Sequence, residues 1–560
     1  MVGLWLAFCL SLSFSAHASP LQNHPSAYLA MHANDPVAWQ LWQTSTLQQA
    51  QQQNKLIVIS SGYFACHWCH VMQQENYQNI EVAALLNQHF ISIKVDRELN
   101  PDLDDYLLNF ARQTTGQAGW PLHVILTPEG LPIAAFIYQP RDVLIRTLSQ
   151  IQAWWQQDSA RISHLAKPET GIRFESITAL QLRDQFMSTL TPLLDHFAGG
   201  LSGTQKFPHS PLLKSLLMQA DLPADVSDWL KTTLEQMQSE HLYDHIHDGF
   251  FRYTVDPNWQ QPHFEKMLYD NAQLAEVYFR AARYFDRADF LTTAQKTLAY
   301  IERELYSPTG LARASQSALD QHGVDGGRYI WSALQLQSLL NEQQFNQVNQ
   351  AWRLNQVPPF ETGWLPKPIN PSDSDHQAWW SIQQQLKNRP SITDNKQLLS
   401  WNGLLLSAYA EAYNTTQQPH YLRRGHALAQ RLLDLIDSQN APRAINDKGQ
   451  LLGQAALEDY AYIIGGLRQW QAASGTLFKP EIQALQHYAR QRFQSNNGWL
   501  ASLDNLLPGQ IAQSDFADLA TPSASAILNC DQRIKSIPII QRQTSLDLWQ
   551  YASYLQSCEF

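Results

Sequence analysis

The hydrophobic pattern is strand-like in the first part of the chain and helix-like in the rest. As far as residue 138, short apolar or alternating runs are separated by turn residues, as is typical of buried or half-buried strands. The predicted strands are 56–59, 90–95, 122–126 and 131–138, and the predicted helices begin near Pro36, after Cys66 and at Pro101. This order of strand, helix, strand, helix and strand hairpin predicts an α/β sandwich.

From about residue 180 onwards, apolar residues recur with the period of an α-helix. Segments 274–285, 405–412 and 428–436 each carry such a stripe, and segment 281–294 resembles segment 410–427 in its pattern of helix, loop and helix. Recurring helical hairpins predict an α/α barrel or solenoid. A chain of 560 residues is also too long for one ordinary domain. We predict domains at 19–165 and 175–560.

The first 18 residues have the pattern of a secretory signal. Residues 2–15 are apolar and are followed by Ala16-His17-Ala18, which predicts cleavage after Ala18. The apolar run is shorter than the ~20 residues of a membrane span. No later segment is apolar enough to span, so we expect no stable membrane insertion. We therefore expect a periplasmic or secreted protein.

Charge and cysteine content narrow the functional classes. A net charge of −11 argues against a nucleic-acid-binding protein. After removal of the signal, four cysteines remain, which are Cys66, Cys69, Cys530 and Cys558. Disulfides persist outside the cytosol. Whether Cys530 and Cys558 pair stays open at this point.

The pair Cys66 and Cys69 is the strongest chemical signal. It follows a strand and a Ser60-Ser61-Gly62 turn, and it opens a segment that can be helical. Residues three apart share a helix face, so the two thiols can meet. A helix N-terminus favours an anion, which makes Cys66 a thiolate near neutral pH. We expect Cys66 to be the exposed attacking thiolate, Cys69 to resolve, and His67 to stabilise the thiolate when protonated.

Several separate motifs resemble the spermatogenesis-associated protein 20-like (DUF255) family. In the first half they are Ser26-x-Tyr28-Leu29-x-x-His32, Pro36-Val37-x-Trp39, Cys66-His-Trp-Cys-His-Val-Met72, Lys94-Val-Asp-Arg97, Pro101-Asp102 and Gly119-Trp-Pro-Leu122. In the second half they include Lys206-Phe-Pro-His209, Arg252-Tyr253, His263-Phe-Glu-Lys-Met-Leu-Tyr-Asp-Asn271 and Ser400-Trp-Asn-Gly403. The resemblance implies an α/β thioredoxin-like domain followed by an all-α (α/α)6 barrel, or toroid, similar to six-hairpin glycosidases and sugar epimerases. It also implies that Pro121 is cis and lies against the dithiol.

Three other readings of the cysteine pair stay open. Cys66-His-Trp-Cys69-His70 is a C-x-x-C-H sequence, the attachment pattern of c-type haem, although the preceding strand and Pro121 argue against haem. Zinc or copper bound by the cysteines and a nearby histidine is a second reading. An inert structural disulfide is a third. We expect no cofactor and no metal. The chain also departs from thioredoxins, because Ser60 stands where they carry a buried Asp and His-Trp replaces Gly-Pro between the cysteines.

The helical half offers acids and imidazoles that could form a pocket. Paired acids suit glycoside hydrolysis, and a histidine facing an acid suits sugar isomerisation. The alternative reading is that these side chains cap helices and join them by hydrogen bonds. The candidates are Asp244, His245, Asp248, His263, Glu265, Asp270, Glu458 and Asp459, together with Trp401 as a sugar-stacking platform. His263 and Glu265 are the best of them, since both stand in the long matched motif.

Three functions follow from these observations. The first is an exported thiol–disulfide oxidoreductase whose barrel recruits a protein partner or a carbohydrate. The second is a carbohydrate-active enzyme of the isomerase, epimerase or hydrolase kind that works through the barrel. The third is a binding protein without catalysis.

Overall fold

The structure is a computed structural model. It describes residues 19–166, 174–369, 376–436, 441–495, 498–503, 506–508, 516–529, 537–540 and 547–557. The predicted signal at 1–18 lies outside the described residues, and so do Cys530 and Cys558. The cleavage site, the export of the protein and the pairing of these two cysteines therefore stay predictions.

Helices dominate the chain, and the strands are concentrated in its first part. The helices are α1 Ala27–Met31, α2 Thr44–Gln53, α3 His67–Met72, α4 Ile80–His89, α5 Pro101–Thr115, α6 Arg141–Leu165, α7 Ala179–Leu190, α8 Ser210–Leu217, α9 Ala224–Ser239, α10 Leu268–Tyr284, α11 Ala288–Tyr300, α12 Ala333–Leu339, α13 Glu342–Trp352, α14 His376–Leu386, α15 Leu399–Thr416, α16 Pro419–Ile436, α17 Leu457–Ser474, α18 Lys479–Phe493, α19 Ala524–Leu528 and α20 Ala552–Ser557. The strands are β1 Leu56–Gly62, β2 Phe90–Asp96, β3 Leu122–Leu126, β4 Pro132–Phe136, β5 Phe174–Ile177, β6 Lys266–Met267, β7 Ser315–Gln316, β8 Thr393–Asp394, β9 Gln397–Leu398, β10 Ala444–Ile445, β11 Leu451–Leu452, β12 Gln494–Ser495, β13 Gly498–Trp499 and β14 Ile537–Ile540.

The first four strands form one sheet in the order β2-β1-β3-β4. Strand β1 is parallel to β2 and antiparallel to β3, and β3 is antiparallel to β4. Successive side chains of a strand point to opposite faces. Accordingly, Ile57 and Ile59 pack with α5 on one face, while Leu56 and Val58 belong to the cluster with α4 and α6 on the other. The predicted thioredoxin-like sandwich is confirmed.

The predicted start of a helix near Pro36 is wrong, because the helix begins at Thr44. The preceding segment instead extends the sheet beside β2. The Gln40 N–H donates to the Ser92 carbonyl at 2.8 Å, and the Lys94 N–H donates to the Gln40 carbonyl at 3.0 Å. Backbone pairing at the open edge of the sheet outweighs the local helical pattern, because a buried backbone group must find a partner.

The helical half closes into a ring. Helix α8 contacts α10, and the contacts continue through α15, α17, α19 and α20 back to α8. Helices α11, α16 and α18 follow α10, α15 and α17 and pack against them, and α16 also contacts α17. The outer helix α16 buries a single stripe of Leu428, Leu432 and Ile436, whereas the inner helix α10 is buried nearly all round. The predicted α/α barrel and the repeated hairpins at 281–294 and 410–427 are confirmed.

The two halves share a buried interface. One hydrophobic cluster contains Cys66 and Trp155 as well as the barrel residues Leu274 and Leu405. An ion cluster also joins the halves, because the Lys396 Nζ lies 2.7 Å from Asp96, 2.9 Å from Glu98 and 2.9 Å from Asp394. The exact division at 165 and 175 stays a prediction. Among the described residues, no helix is long and apolar enough to span a membrane.

Candidate functional site

The dithiol lies where β1 leads into helix α3. Cys66 is the N-cap of α3, and its Sγ accepts a hydrogen bond from the Cys69 N–H at 3.2 Å. The two sulfurs form a disulfide, with Cα atoms 5.2 Å apart. The Trp120–Pro121 peptide is cis, as the resemblance implied. The start of the helix at the cysteine pair and the cis proline are therefore as expected, whereas the packing of Pro121 against the dithiol stays a prediction.

The barrel covers this dithiol. Cys66 is 2% exposed and Cys69 is fully buried. The expectation of an exposed Cys66 is therefore wrong in this structure, because the barrel packs against the start of α3. The Ala318 N–H donates to the Ala65 carbonyl at 3.4 Å. The Glu265 carboxylate accepts from the Tyr63 hydroxyl at 2.7 Å and from the His67 N–H at 3.4 Å. Because the first turn of α3 is bonded to barrel residues, the predicted barrel candidate Glu265 belongs to the surroundings of the cysteines.

Arg252 completes the buried contact between the halves. Its Nη1 donates to the Tyr63 hydroxyl at 2.6 Å and lies 3.4 Å from a Glu265 oxygen. Its Nε donates to the Tyr269 hydroxyl at 3.0 Å. The cation thus offsets the charge of Glu265, which would otherwise be buried next to the dithiol without a counterion. Arg252, Glu265 and Tyr63 are called the interface triad below.

His67 and His263 lie on the same side of the dithiol. The His67 Nδ1 is 3.1 Å from Asp325, and its ring centroid is 6.1 Å from that of His263. Burial alone would lower the pKa of His67, but the neighbouring Asp325 outweighs it and raises the pKa. Burial lowers the pKa of His263, which stacks on Tyr253 at 4.5 Å. His67 is therefore the histidine that favours a positive charge, and Asp325 offsets part of that charge.

A cavity of about 540 Å3 lies between the thioredoxin-like domain and the mouth of the barrel. Five aromatic side chains are among the residues that line it, which are Trp120, Phe207, Tyr269, Trp401 and Trp549. The Trp401 and Tyr269 rings meet edge to face at 4.8 Å. Trp120 comes from the segment that carries the cis proline, so both domains build the wall. Of the predicted barrel candidates, Asp270, Glu458 and Trp401 line this cavity.

Asp270 is a strongly perturbed acid of the cavity. It lies in the first turn of α10 and is 4% exposed. Its Oδ2 has no hydrogen-bond partner among the described residues. Burial raises the pKa of Asp270 to about 8, with Arg252 opposing and Glu265 reinforcing the shift. The carboxyl therefore carries a proton near neutral pH and can donate it.

Glu458 and Asp459 have different surroundings although they are adjacent. Both pair with Arg443, at 2.8 Å in the case of Asp459. Asp459 also accepts the N–H groups of Ser400 at 2.9 Å and Ala456 at 2.8 Å, so it caps the starts of two helices. Glu458 reaches the cavity, whereas Asp459 is fully buried and is absent from the cavity wall.

The remaining candidates have structural partners away from the cavity. Asp244 lies 2.6 Å from Lys266 and 3.2 Å from His247. The His245 ring bonds to the Glu240 carbonyl at 3.2 Å, and Asp248 accepts from Tyr243 at 3.3 Å. The wall of this cavity does not include Asp244, His245, His263, Glu265 or Asp459, so a pocket role for these candidates stays a prediction. In the described part of the chain, no group of three His, Cys, Asp or Glu side chains is arranged to hold a metal ion.

Comparison with known proteins agrees with the motifs. The family model Thioredox_DsbH, described as "Protein of unknown function, DUF255", matches residues 18–170. Spermatogenesis-associated protein 20 of Rattus norvegicus is 28% identical over 91% of this chain and 74% of its own length. The Homo sapiens protein of the same name is 28% identical over 90% of this chain and 74% of its own length. These matches confirm the resemblance to the spermatogenesis-associated protein 20-like family.

Solved structures match each half at low identity. A D-mannose isomerase matches with 11% identity and a TM-score of 0.41 over 68% of this chain and 86% of that chain. A family 76 glycoside hydrolase from a bovine Bacteroides thetaiotaomicron strain matches with 10% identity and a TM-score of 0.34 over 67% of this chain and 63% of that chain. A DsbH oxidoreductase matches with 19% identity and a TM-score of 0.18 over 21% of this chain and 85% of that chain. We draw no conclusion about activity from these similarities.

Sequence reasoning missed several residues that the structure brings to the site. Tyr63 and Arg252 bond to each other although they are 189 positions apart. Trp120 and Tyr269 line the cavity from opposite domains. Arg252, Trp120 and Tyr269 all lie in the motifs that carry the family resemblance, and this was the only sequence signal for them.

Proposed function

We propose that this protein is a thiol–disulfide oxidoreductase in which Cys66 and Cys69 form the reversible couple. The observation that carries the proposal is the position of Cys66 as the N-cap of α3, where its sulfur accepts the Cys69 N–H at 3.2 Å. The same N–H can stabilise a Cys66 thiolate once the disulfide is open, and the helix N-terminus adds to this effect.

In the reduced protein, the Cys66 thiolate attacks a disulfide of the substrate. One substrate thiolate leaves, and a mixed disulfide joins Cys66 to the other substrate sulfur. The Cys69 thiol then loses its proton and attacks the Cys66 sulfur, which releases the second substrate thiolate. Two electrons pass from the protein to the substrate, and the substrate becomes two thiols. A substrate thiol pair with a lower reduction potential than the Cys66–Cys69 couple reverses these steps.

Access to the couple depends on the barrel. Both sulfurs are buried beneath residues 263–265 and 318–325, so a protein disulfide reaches Cys66 only when this contact opens. In this proposal the barrel selects the partner, which is a protein thiol or disulfide. The predicted signal supports the related proposal that the protein acts in the periplasm or outside the cell, where disulfide exchange is needed.

The test is the reduction potential of the full chain, measured against glutathione with trapping of free thiols. A potential between about −120 and −270 mV, together with loss of exchange in Cys66→Ser, supports the proposal. A potential below about −300 mV identifies a structural disulfide and contradicts it. Undiminished exchange by Cys66→Ser contradicts it as well.

A second function is favoured by the cavity between the domains. Aromatic rings beside polar groups are suited to stacking against a sugar ring, and the protonated Asp270 can donate to a hydroxyl or glycosidic oxygen. Glu458 is one of several further acids in the wall. We propose that the cavity binds a carbohydrate. The bound sugar either undergoes isomerase, epimerase or hydrolase chemistry through Asp270 or is bound without turnover.

Binding of a sugar panel to the full chain, measured by calorimetry, tests this second function. We expect saturable binding that is weakened by Trp401→Ala and by Asp270→Asn, and that is kept in Cys66→Ser. Turnover that is lost in Asp270→Asn identifies an enzyme, whereas binding without turnover identifies a binding protein. Equal binding by wild type and Trp401→Ala contradicts a site in this cavity.

A further inference from the structure

Behind the dithiol, a lysine is buried without an ion pair. Lys94 of β2 is 1% exposed. Its Nζ donates to the Ser60 hydroxyl at 3.0 Å, and among the described residues no carboxylate lies within ion-pair distance of it. Three rings surround the ammonium, since the centroids of Tyr28, Trp39 and Tyr77 lie 5.1, 5.2 and 4.6 Å away. Cation–π attraction offsets only part of the cost of burying this charge.

One of these rings carries a hydroxyl that has no partner. Tyr28 is fully buried, and its Oη makes no hydrogen bond within the described part of the chain. A Cβ built on Gly62 would lie 2.3 Å from this oxygen and 2.7 Å from the Cys69 Sγ. The hydroxyl and the sulfur therefore border the same small space, which exists because residue 62 has no side chain. A buried hydroxyl without a partner is costly and calls for an explanation.

We propose that the Tyr28 hydroxyl is the hydrogen-bond donor to the Cys69 sulfur in the reduced protein. Tyr28 is a positioning residue for the resolving cysteine. It takes the place of the buried acid that Ser60 replaces. This inference rests on the proposed reversible couple.

The electron balance explains why a donor is needed at this sulfur. When a substrate thiolate attacks the Cys66 Sγ, the S–S bond breaks and its electron pair moves to the Cys69 Sγ. A thiolate thus forms in a buried place, and a hydrogen bond to a charged acceptor is roughly twice as strong as a neutral one. A second substrate thiolate then releases Cys66 and leaves a substrate disulfide.

The neighbouring hydroxyls are already occupied. The Ser60 and Tyr77 hydroxyls are 2.7 Å apart, and the Tyr77 hydroxyl is 2.6 Å from the His123 Nε2. Burial raises the pKa of Tyr28 well above its ordinary value, so it keeps its proton and can donate it to the sulfur. Burial also lowers the pKa of Lys94 to about 7, so this amine is largely neutral where a thiol ionises. The other titratable groups that act on Lys94 or on Tyr28 are Asp35, Asp96, Asp104, His32, His70 and His123.

The experiment follows the ultraviolet absorbance of the Cys69 thiolate against pH in the full chain carrying Cys66→Ser. The double variant Cys66→Ser/Cys69→Ser supplies the background of the other cysteines, and absorbance requires no access by a reagent. Adding Tyr28→Phe should lower the acid dissociation constant of the Cys69 thiol about tenfold, because a hydrogen bond to the anion is lost.

Tyr278→Phe is the matched control, because its buried hydroxyl donates to the Leu234 carbonyl at 2.7 Å inside the barrel. An unchanged midpoint in Tyr28→Phe overturns the inference, and so does an equal shift in Tyr278→Phe. The proposed function fails on a different observation, which is exchange activity that survives Cys66→Ser.

Discussion

The interface triad should limit the rate at which the Cys66–Cys69 disulfide is reduced. Glu265 is 3% exposed and accepts hydrogen bonds from Tyr63 and His67 while it pairs with Arg252. Glu265→Gln keeps the shape of the side chain but removes its charge. The closed contact between barrel and dithiol then loses its strongest interactions, and Arg252 is left buried with less compensation.

The expected increase in the rate of reduction follows from these contacts. A hydrogen bond to a charged group contributes about 1.5–3 kcal/mol, and removing one partner of a buried ion pair costs about 3–5 kcal/mol. Arg252 keeps its bonds to Tyr63 and Tyr269. We therefore expect the closed contact to lose about 3 kcal/mol relative to the open state, at the low end of that range. At about 1.4 kcal/mol for each factor of ten, the open population rises about a hundredfold.

The assay is the rate at which a small phosphine reduces the disulfide in the folded full chain, with alkylation of free thiols and mass spectrometry at timed intervals. Reduction through local opening follows the open population, so Glu265→Gln should be reduced about a hundredfold faster than wild type.

The matched control is Glu276→Gln. This carboxylate is equally buried and pairs with Lys214 and Arg280, but it lies in the barrel away from the dithiol. An unchanged rate in Glu265→Gln would refute the reasoning. An equal acceleration in Glu276→Gln would show that general destabilisation, and not the interface triad, limits reduction.

Three further predictions concern stability. Lys396→Met leaves three buried carboxylates without their cation. The free energy of unfolding, measured with denaturant at neutral pH, should therefore fall by about 3–5 kcal/mol relative to wild type. This difference should become smaller in acid, because the carboxylates then take up protons. Asp270, with its pKa raised from 3.8 to about 8, binds a proton that the unfolded chain has already lost. The free energy of unfolding should therefore fall as pH rises between these values, and Asp270→Asn should flatten that slope; equal slopes would contradict the assignment. Gly62→Ala should lower the unfolding free energy by about 1–3 kcal/mol through collision with Tyr28 and Cys69, whereas Gly119→Ala, with nothing within 4 Å of the added Cβ, should not.

The local pattern of the sequence was sufficient for the elements that carry the dithiol. Strands β1 and β3 and helix α5 lie close to where the apolar runs and Pro101 placed them. Cys66 begins a helix, and Trp120–Pro121 is cis. These features depend on neighbouring residues, on turns and on a recognisable family motif, all of which can be read along the chain. The misplaced helix near Pro36 marks the limit, because pairing with β2 overrode the local pattern.

The composition of the site was decided only by tertiary structure. Among the predicted barrel acids, Asp270 and Glu458 reach the cavity, Glu265 reaches the dithiol, and Asp244 and Asp459 bond within the barrel. All of them lie near the starts of helices or in the loops before them, so no local signal separates them. Tyr63 meets Arg252 across 189 positions, because the ring of helices closes against the sheet. The sequence by itself indicated an α/β sandwich, a helical barrel or solenoid and the close cysteine pair, since short-range periodicity and spacing encode them. Only the packing of the two halves determined which charges surround the sulfurs and which line the cavity, because burial and charge pairing depend on contacts between distant segments.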